Sequence, residues 1–110
     1  MNKLKGKKNI EKLFSEGQKI TLHPLSIVVL TSEEMALGVS VGKRHFKRAV
    51  DRNKIKRHLR NVLRQQLLSV FEKNEKNFSV MLIYIGSQMP TLAMLEQKAS
   101  KLAEKINKTL

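Results

Sequence analysis

The chain has 110 residues, with 22 Lys and Arg, 9 Asp and Glu, and a formal net charge of +13. This length predicts a single domain over residues 1–110. The 41% hydrophobic content predicts a packed core rather than a disordered polycation. The absence of cysteine excludes disulfides and thiolate zinc sites. Residues 1–7 are expected to form a flexible basic N-terminus. They do not resemble a signal peptide, because no apolar segment follows their positive charges. No apolar run approaches the ~20 residues that span a bilayer, so we expect a cytoplasmic protein without a membrane partner.

The excess positive charge is concentrated in one fifth of the chain. Residues 43–64 contain ten Lys or Arg side chains and a single acidic residue, Asp51. Such a density of one charge attracts a polyanion, and nucleic acid is the usual polyanion. A solvated helix face that aids solubility is the alternative, but such faces normally mix charges of both signs. The charge pattern therefore predicts a nucleic-acid-binding domain.

The spacing of apolar residues predicts the element order helix, two or three strands, long helix, strand, helix. The predicted segments are 8–15, 25–31, 37–41, 47–72, 78–85 and 92–106. Residues 18–24 are extended and provide the third strand if they pair with a neighbour. This order predicts an α+β fold, an α/β sandwich in which helices pack against a sheet. The last apolar stripe also fits a coiled-coil seam, but a single short stripe more often packs against its own sheet.

Two of these segments have faces that suit binding. In 37–41, Gly38 and Ser40 alternate with apolar residues, so the face opposite the core is made of small residues and leaves room for something to lie close. In 47–72, an apolar stripe begins at Ile55, while arginines project from the other side of the helix. The long helix is therefore predicted to bury one face and to offer a cationic face.

Catalytic and metal-binding patterns are missing from the sequence. His23, His45 and His58 are scattered, and no carboxylates stand beside them at the spacing of metal ligands. The acidic residues stand mostly among lysines, so a paired-carboxylate site is not predicted. There is also no phosphate-binding loop and no nucleophile elbow. We therefore expect no catalytic residues on this chain, which favours a binding protein.

The basic stretch 42–60 joins the end of a predicted strand to the long helix. Guanidinium groups fork onto phosphate oxygens and stack on unpaired bases, and a helix N-terminus adds unpaired backbone N–H groups. For Asn53, a helix-capping or turn role and a direct contact with a base are equally good interpretations.

The long helix starts with the pattern Arg52-Asn53-Lys54-Ile55-Lys56-Arg57, with Ala49-Val50 before it and Arg60 beyond. This pattern resembles the signature of the bacterial ribonuclease P protein subunit. Two further segments are similar to that family, Leu37-Gly-Val-Ser-Val-Gly-Lys-Arg44 and Leu13-Phe14-x-x-Gly17. The resemblance implies the order α-β-β-β-α-β-α, a fold similar to the second domain of ribosomal protein S5, with a left-handed β-α-β crossover.

The resemblance also implies a function and partners. The family protein assembles with ribonuclease P RNA, the catalytic RNA that removes the 5′ leader of precursor tRNA by Mg²⁺-dependent hydrolysis. The Mg²⁺ is held mainly by the RNA, so no cofactor is expected on the protein alone, and a metal site on the protein stays an open question. A homo-oligomer is not predicted.

Individual site residues follow from the resemblance by position. The residues implied to contact the catalytic RNA are Lys43, Arg44, Lys47, Arg48, Arg52, Asn53, Lys54, Lys56, Arg57 and Arg60. The residues implied to line a cleft for the single-stranded leader are Ile10, Phe14 and Val28. Lys54 stands where the family commonly has an arginine, and Ile10 and Val28 stand where it has aromatic residues. Leader binding is therefore expected to rest more on electrostatics and less on base stacking.

Two other functions are compatible with the sequence. A ribosomal or other structural RNA-binding protein of similar fold would share the basic helix without a role in processing. A DNA-binding module would place the 47–72 helix in a major groove. Competition with duplex DNA separates the last possibility from the others, because folded RNA should win if the chain is a ribonuclease P subunit.

Overall fold

In the residues that the structure describes, 2–3, 6–73 and 76–110, five strands form one mixed sheet with helices on both faces; this structure is a computed structural model. The strands are β1 (Asn2–Lys3), β2 (Gln18–Leu22), β3 (Leu25–Ser32), β4 (Ala36–Val41) and β5 (Asn77–Tyr84). The helices are α1 (Lys7–Glu16), α2 (Ala49–Val62), α3 (Leu68–Glu72) and α4 (Leu92–Thr109). A π-helical segment, Leu63–Leu67, joins α2 to α3. The predicted α+β class is confirmed.

β5 lies inside the sheet, in the strand order β1-β4-β5-β3-β2. It pairs antiparallel with β3 and parallel with β4, so that Val80 lies between Val29 and Leu37. The sequence predicted a central strand here because a nearly continuous apolar run suits a strand with neighbours and cover on both sides. β2 pairs antiparallel with β3, which makes the extended segment 18–24 the third strand that the sequence left open.

The connection from β4 to β5 determines where the basic stretch lies. Because adjacent parallel strands cannot be joined by a tight turn, the chain crosses over the sheet through α2, the π-helical segment and α3. This is the β-α-β crossover that the family resemblance implies. A π-helical turn contains one more residue than an α-helical turn, and here it keeps Leu63 and Leu67 buried while Arg64 and Gln65 stay exposed.

The main core fills the space between the sheet and the layer formed by α2, α3 and α4. Strands β3 and β5 contribute alternate residues, for example Ile27 and Leu82, as the period of two requires. Side chains from the helical segments that are fully buried in this core are Ile55, Leu59, Val62, Leu67, Phe71, Leu95, Ala99, Leu102 and Ile106. The last stripe of the sequence therefore packs against its own sheet rather than forming a coiled coil.

A smaller apolar cluster holds α1 on the other face of the sheet. Leu13 of α1, Val28 of β3 and Met81 of β5 form its buried centre, and Ile10 packs against them. On the same face, the hydroxyl oxygens of Thr21 and Ser26 are 3.1 Å apart and share a hydrogen bond. α1 packs mainly on β3, so this face of the sheet has a thinner cover than the main core.

The N-terminal segment differs in part from the expectation of a flexible terminus over 1–7. Asn2–Lys3 form β1, which pairs with Ala36 and Leu37 of β4 in parallel, and α1 begins at Lys7. Residues 1, 4 and 5 lie outside the described residues. Within the described part of the chain, no helix combines the length and apolar character needed to cross a membrane.

Gly17 allows the end of α1 to approach β3, and its replacement tests this close packing. A Cβ atom at this position would lie 2.4 Å from the carbonyl oxygen of Leu13 and 2.8 Å from a methyl group of Val28. Both contacts are too short, so we expect Gly17→Ala to lower the free energy of unfolding by about 1–3 kcal/mol, measured by urea denaturation.

The matched control is Gly42→Ala, because a Cβ atom at Gly42 meets nothing within 4 Å. This variant should change the free energy of unfolding by less than about 1 kcal/mol. Equal losses in the two variants would contradict the proposed role of Gly17.

Candidate nucleic-acid interface

The ten residues predicted to contact RNA lie on one loop and the helix that follows it. The exposed members are Lys43, Arg44, Lys47, Arg48, Asn53, Lys54, Arg57 and Arg60. Arg52 and Lys56 are half-buried, at the border between the buried and exposed faces of α2. We call loop 42–48 together with the exposed face of 49–65 the basic surface. Its residues project outward because Ile55, Leu59 and Val62 occupy the inward stripe of the same helix.

Acidic side chains do little to neutralise the basic surface. On this surface, Arg48 Nε and Asp51 Oδ2 form an ion pair at 3.9 Å, and the Arg48 side chain is 76% exposed. An exposed pair of this kind contributes about 0–1 kcal/mol to stability. The remaining cations of the basic surface are therefore available to an anionic partner.

Asn53 lies in the second turn of α2 and is exposed, so it does not cap the helix. The N-cap residue is Arg48, whose side chain makes no capping hydrogen bond. Of the two interpretations of Asn53 from the sequence, helix capping is therefore wrong. An exposed amide on this face can donate and accept hydrogen bonds with a ligand.

Arg52 turns back toward the loop that precedes its helix. Its Nη1 atom donates hydrogen bonds to the carbonyl oxygens of Phe46, at 2.7 Å, and of Lys47, at 2.8 Å. Arg52 thus differs from the exposed arginines of α2, because part of its donor capacity is used within the protein. These two bonds could not be predicted from the sequence, since both acceptors are backbone atoms.

Phe46 fixes the same loop to the end of the sheet. Its ring is buried and lies against Tyr84, with ring centroids 5.9 Å apart. The Tyr84 hydroxyl donates a hydrogen bond to the carbonyl oxygen of Gln88 at 2.6 Å. Burial raises the pKa of Tyr84 above its ordinary value, because the charged phenolate is poorly solvated there. The loop is therefore attached to the core at Phe46, while the charged residues on either side are exposed.

Three arginines surround a shallow cleft on α2 and the π-helical segment. The cleft has a volume of about 350 Å³ and is lined by Arg57, Arg60, Asn61, Arg64 and Gln65. Asn61, Arg64 and Gln65 were not among the predicted contact residues. The signal that identifies them is helical spacing, since steps of three and four residues place side chains on one face.

The predicted leader-cleft residues differ strongly in exposure. Phe14 is 49% exposed although it is a large apolar residue, whereas Ile10 is half-buried. Val28 is only 3% exposed and lies in the cluster beneath α1, so it supports the helix and presents little surface. The alternative to a leader contact is that Phe14 and Ile10 simply pack in the core. It fits Ile10 in part, because Ile10 packs against this cluster, and it does not fit the exposed Phe14.

Beside α1, the same face of the sheet carries a half-buried strip of mostly small residues. Gly38 pairs with Met81, and Ser40 pairs with Ile83, so these residues share the face of the α1 cluster. We call Gly38, Ser40, Ser79 and Ile83, all half-buried, the small-residue strip. The alternation of small and apolar residues in β4 predicted this feature for Gly38 and Ser40, while the β5 members were not predicted.

No group of three or more His, Asp or Glu side chains with metal-binding geometry occurs among the residues that the structure describes. The candidate site is therefore a surface of cations and amides, together with an apolar and small-residue surface on the other side of the sheet.

Comparison with known proteins places the sequence in a family. The family model described as Ribonuclease P matches residues 1–107. The ribonuclease P protein component of Porphyromonas gingivalis (strain ATCC 33277) is 31% identical over 100 residues, which cover 84% of this chain and 73% of that protein. The ribonuclease P protein component of Nitrosococcus oceani is 32% identical over 60 residues, covering 53% of this chain and 50% of that protein.

Solved structures agree with the fold. The RNase P protein of Staphylococcus aureus superposes with a TM-score of 0.76 at 17% identity, over 96% of this chain and 95% of that one. The RNase P protein of Thermotoga maritima superposes with a TM-score of 0.75 at 20% identity, over 96% of this chain and 97% of that one. These likenesses confirm the fold, and the match of the family model over almost the whole sequence shows that the chain belongs to the family of ribonuclease P protein components.

Proposed function

We propose that this protein is the subunit that binds ribonuclease P RNA and the 5′ leader of precursor tRNA, and so assists removal of the leader. The observation that carries the proposal is the basic surface. Residues 43–64, which form most of it, contain ten Lys and Arg residues and a single acidic residue, Asp51. A folded RNA is a dense polyanion, and its affinity for such a surface comes largely from release of counterions.

The basic surface suits RNA in both its charge and its donor groups. The exposed guanidinium groups of Arg57, Arg60 and Arg64 can each fork onto phosphate oxygens. Asn61 and Gln65 lie between them and can hydrogen-bond to ribose hydroxyls or base edges, which are accessible in the shallow groove of A-form RNA. The N-terminus of α2 adds backbone N–H groups and the positive end of the helix dipole.

The leader is assigned to the α1 side of the sheet. Single strands bind to surfaces that combine aromatic side chains with room for the backbone. Phe14 offers an exposed ring, and the small-residue strip lets a chain approach the sheet closely. With Phe14 as the aromatic residue of this side and Val28 covered, stacking is limited and the basic residues supply the rest of the attraction.

In this proposal the RNA performs the hydrolysis and holds the Mg²⁺. The protein binds the folded RNA through its positive charge and positions the leader. Its own side chains take no part in bond cleavage. The partners of the protein in this proposal are the RNA and the precursor tRNA, and a homo-oligomer is not part of it.

A reconstituted cleavage assay tests the proposal directly. Purified protein is mixed with a bacterial ribonuclease P RNA and end-labelled precursor tRNA at low Mg²⁺, with protein-only and RNA-only controls. We expect cleavage at the mature 5′ end to require both components. Cleavage by the protein alone would contradict the absence of catalytic residues, and binding without any gain in activity would favour a structural RNA-binding protein.

Single arginine substitutions measure the contribution of the basic surface. Arg57→Ala, Arg60→Ala and Arg64→Ala should each weaken RNA binding, and each should reduce the slope of log affinity against log salt by about one unit. The reason is that each lost phosphate contact releases one fewer counterion. Filter binding at a series of salt concentrations gives the slopes.

The control for this series is Lys101→Ala on α4, which removes an exposed cation outside the basic stretch. Its salt slope should match that of the wild type. If the three arginine variants also keep the wild-type slope, the basic surface is not the RNA interface.

Substitution of Phe14 separates leader binding from RNA binding. Because its side chain is 49% exposed, Phe14→Ala should leave the fold intact. Loss of one stacked base costs about 1–3 kcal/mol, which weakens binding of precursor tRNA to the holoenzyme about 5- to 150-fold. Affinity for mature tRNA, which has no leader, should not change. An equal loss with both tRNAs would place Phe14 outside the leader contact.

A further inference from the structure

Arg52 stands in the middle of the basic surface, yet its side chain points back to the protein. Its Nη1 atom donates to the carbonyl oxygens of Phe46 and Lys47, at 2.7 and 2.8 Å. Its backbone N–H also donates to the carbonyl oxygen of Arg48, at 3.2 Å. Hydrogen bonds from an ionised donor are stronger than those between neutral groups. We infer that Arg52 is a positioning residue, which holds loop 42–48 in the shape that binds RNA, and is not itself a phosphate ligand.

The loop needs such a restraint because of its charge. Lys43, Arg44, Lys47 and Arg48 lie within six residues, and all four side chains are exposed. Like charges at this density repel each other and favour an expanded loop. Asp51 offsets only part of this repulsion, through the long contact with Arg48.

Arg52 and Phe46 together restrain the loop at one point. The Phe46 ring packs against Tyr84 on the sheet, while the Phe46 carbonyl accepts a hydrogen bond from Arg52 on α2. The loop is therefore fixed both to the sheet and to the helix. The exposed lysines and arginines on either side of Phe46 are therefore attached to a backbone that these two contacts restrain.

The position of Arg52 on its helix supports the same conclusion. A cation in the first turns of a helix lies near the positive end of the helix dipole, which disfavours it. The two carbonyl oxygens offset that cost, because they accept hydrogen bonds from the charged guanidinium. Arg57, by contrast, is exposed and has no hydrogen bond or ion pair within the described residues.

The test compares substitutions that keep the charge with substitutions that remove it. Arg52→Lys keeps a cation, but the lysine side chain ends one bond short of the position of Nη1 and lacks the planar guanidinium, so it should not reach the two carbonyl oxygens with the same geometry. Arg52→Ala removes the charge as well. Arg57→Lys and Arg57→Ala are the matched controls on the exposed face. All four proteins are first checked for cooperative unfolding, and Arg52→Lys keeps the test valid if Arg52→Ala does not fold.

The first readout needs no RNA. Amide hydrogen exchange should become about tenfold faster or more in 43–48 for both Arg52 variants, as expected for the loss of a charge-assisted hydrogen bond, and should stay unchanged for both Arg57 variants. The chain has one tyrosine and no tryptophan, so the ultraviolet titration of Tyr84 also reports on the loop. Loosening of Phe46 should let the pKa of Tyr84 fall toward its ordinary value.

The second readout is RNA affinity, and this step rests on the proposed function. Arg52→Lys should lose nearly as much affinity as Arg52→Ala, whereas Arg57→Lys should keep more affinity than Arg57→Ala. The inference is overturned if the Arg52 variants leave loop exchange and the Tyr84 titration unchanged, or if Arg52→Lys binds RNA like the wild type. If the wild-type protein does not bind the RNA, the proposed function fails, while the exchange and titration results still decide the role of Arg52.

Discussion

The parallel pairing of β4 and β5 determines where the basic surface of this molecule lies. Because these strands are adjacent and parallel, the chain must leave the end of β4 and cross the sheet before β5 can begin. Loop 42–48 and the start of α2 therefore lie at the end of the sheet where β5 also ends. Phe46 meets Tyr84 at that end, and the most highly charged segment is attached there to an interior strand of the sheet.

The concentration of positive charge in the basic surface lowers the stability of the folded chain, and binding of a polyanion removes this effect. Repulsion among unpaired cations destabilises the folded chain, and the main core must compensate for it. A polyanion that binds the folded state but not the unfolded chain reverses this effect, since its binding free energy adds to stability. The π-helical segment contributes to the same surface, because it keeps Leu63 and Leu67 in the core while Arg64 and Gln65 extend the row of exposed side chains.

Much of this fold could be predicted from the sequence, because the long elements have one-sided apolar patterns. The helices and β3, β4 and β5 follow periods that reflect burial directly. β2 was less certain because its exposed positions carry Gln18, Lys19 and Thr21, as in an edge strand, and only Ile20 is buried. The bonds of Arg52 could not be predicted, since a guanidinium that binds backbone carbonyls looks the same in sequence as one that faces solvent. The exclusion of Asn53 as a cap likewise depends on where α2 begins, which propensities locate only to within a few residues.

The sheet separates the two proposed RNA contacts. α2 and α4 cover one face, and the basic surface lies on the outer side of that helical layer, whereas Phe14 and the small-residue strip belong to the opposite face. The molecule measures 37 × 29 × 22 Å, so one RNA that follows the basic surface leaves the α1 side accessible to a second strand. Two ligands on opposite faces do not compete for the same groups, so the proposed contacts with the catalytic RNA and with the leader are compatible with each other.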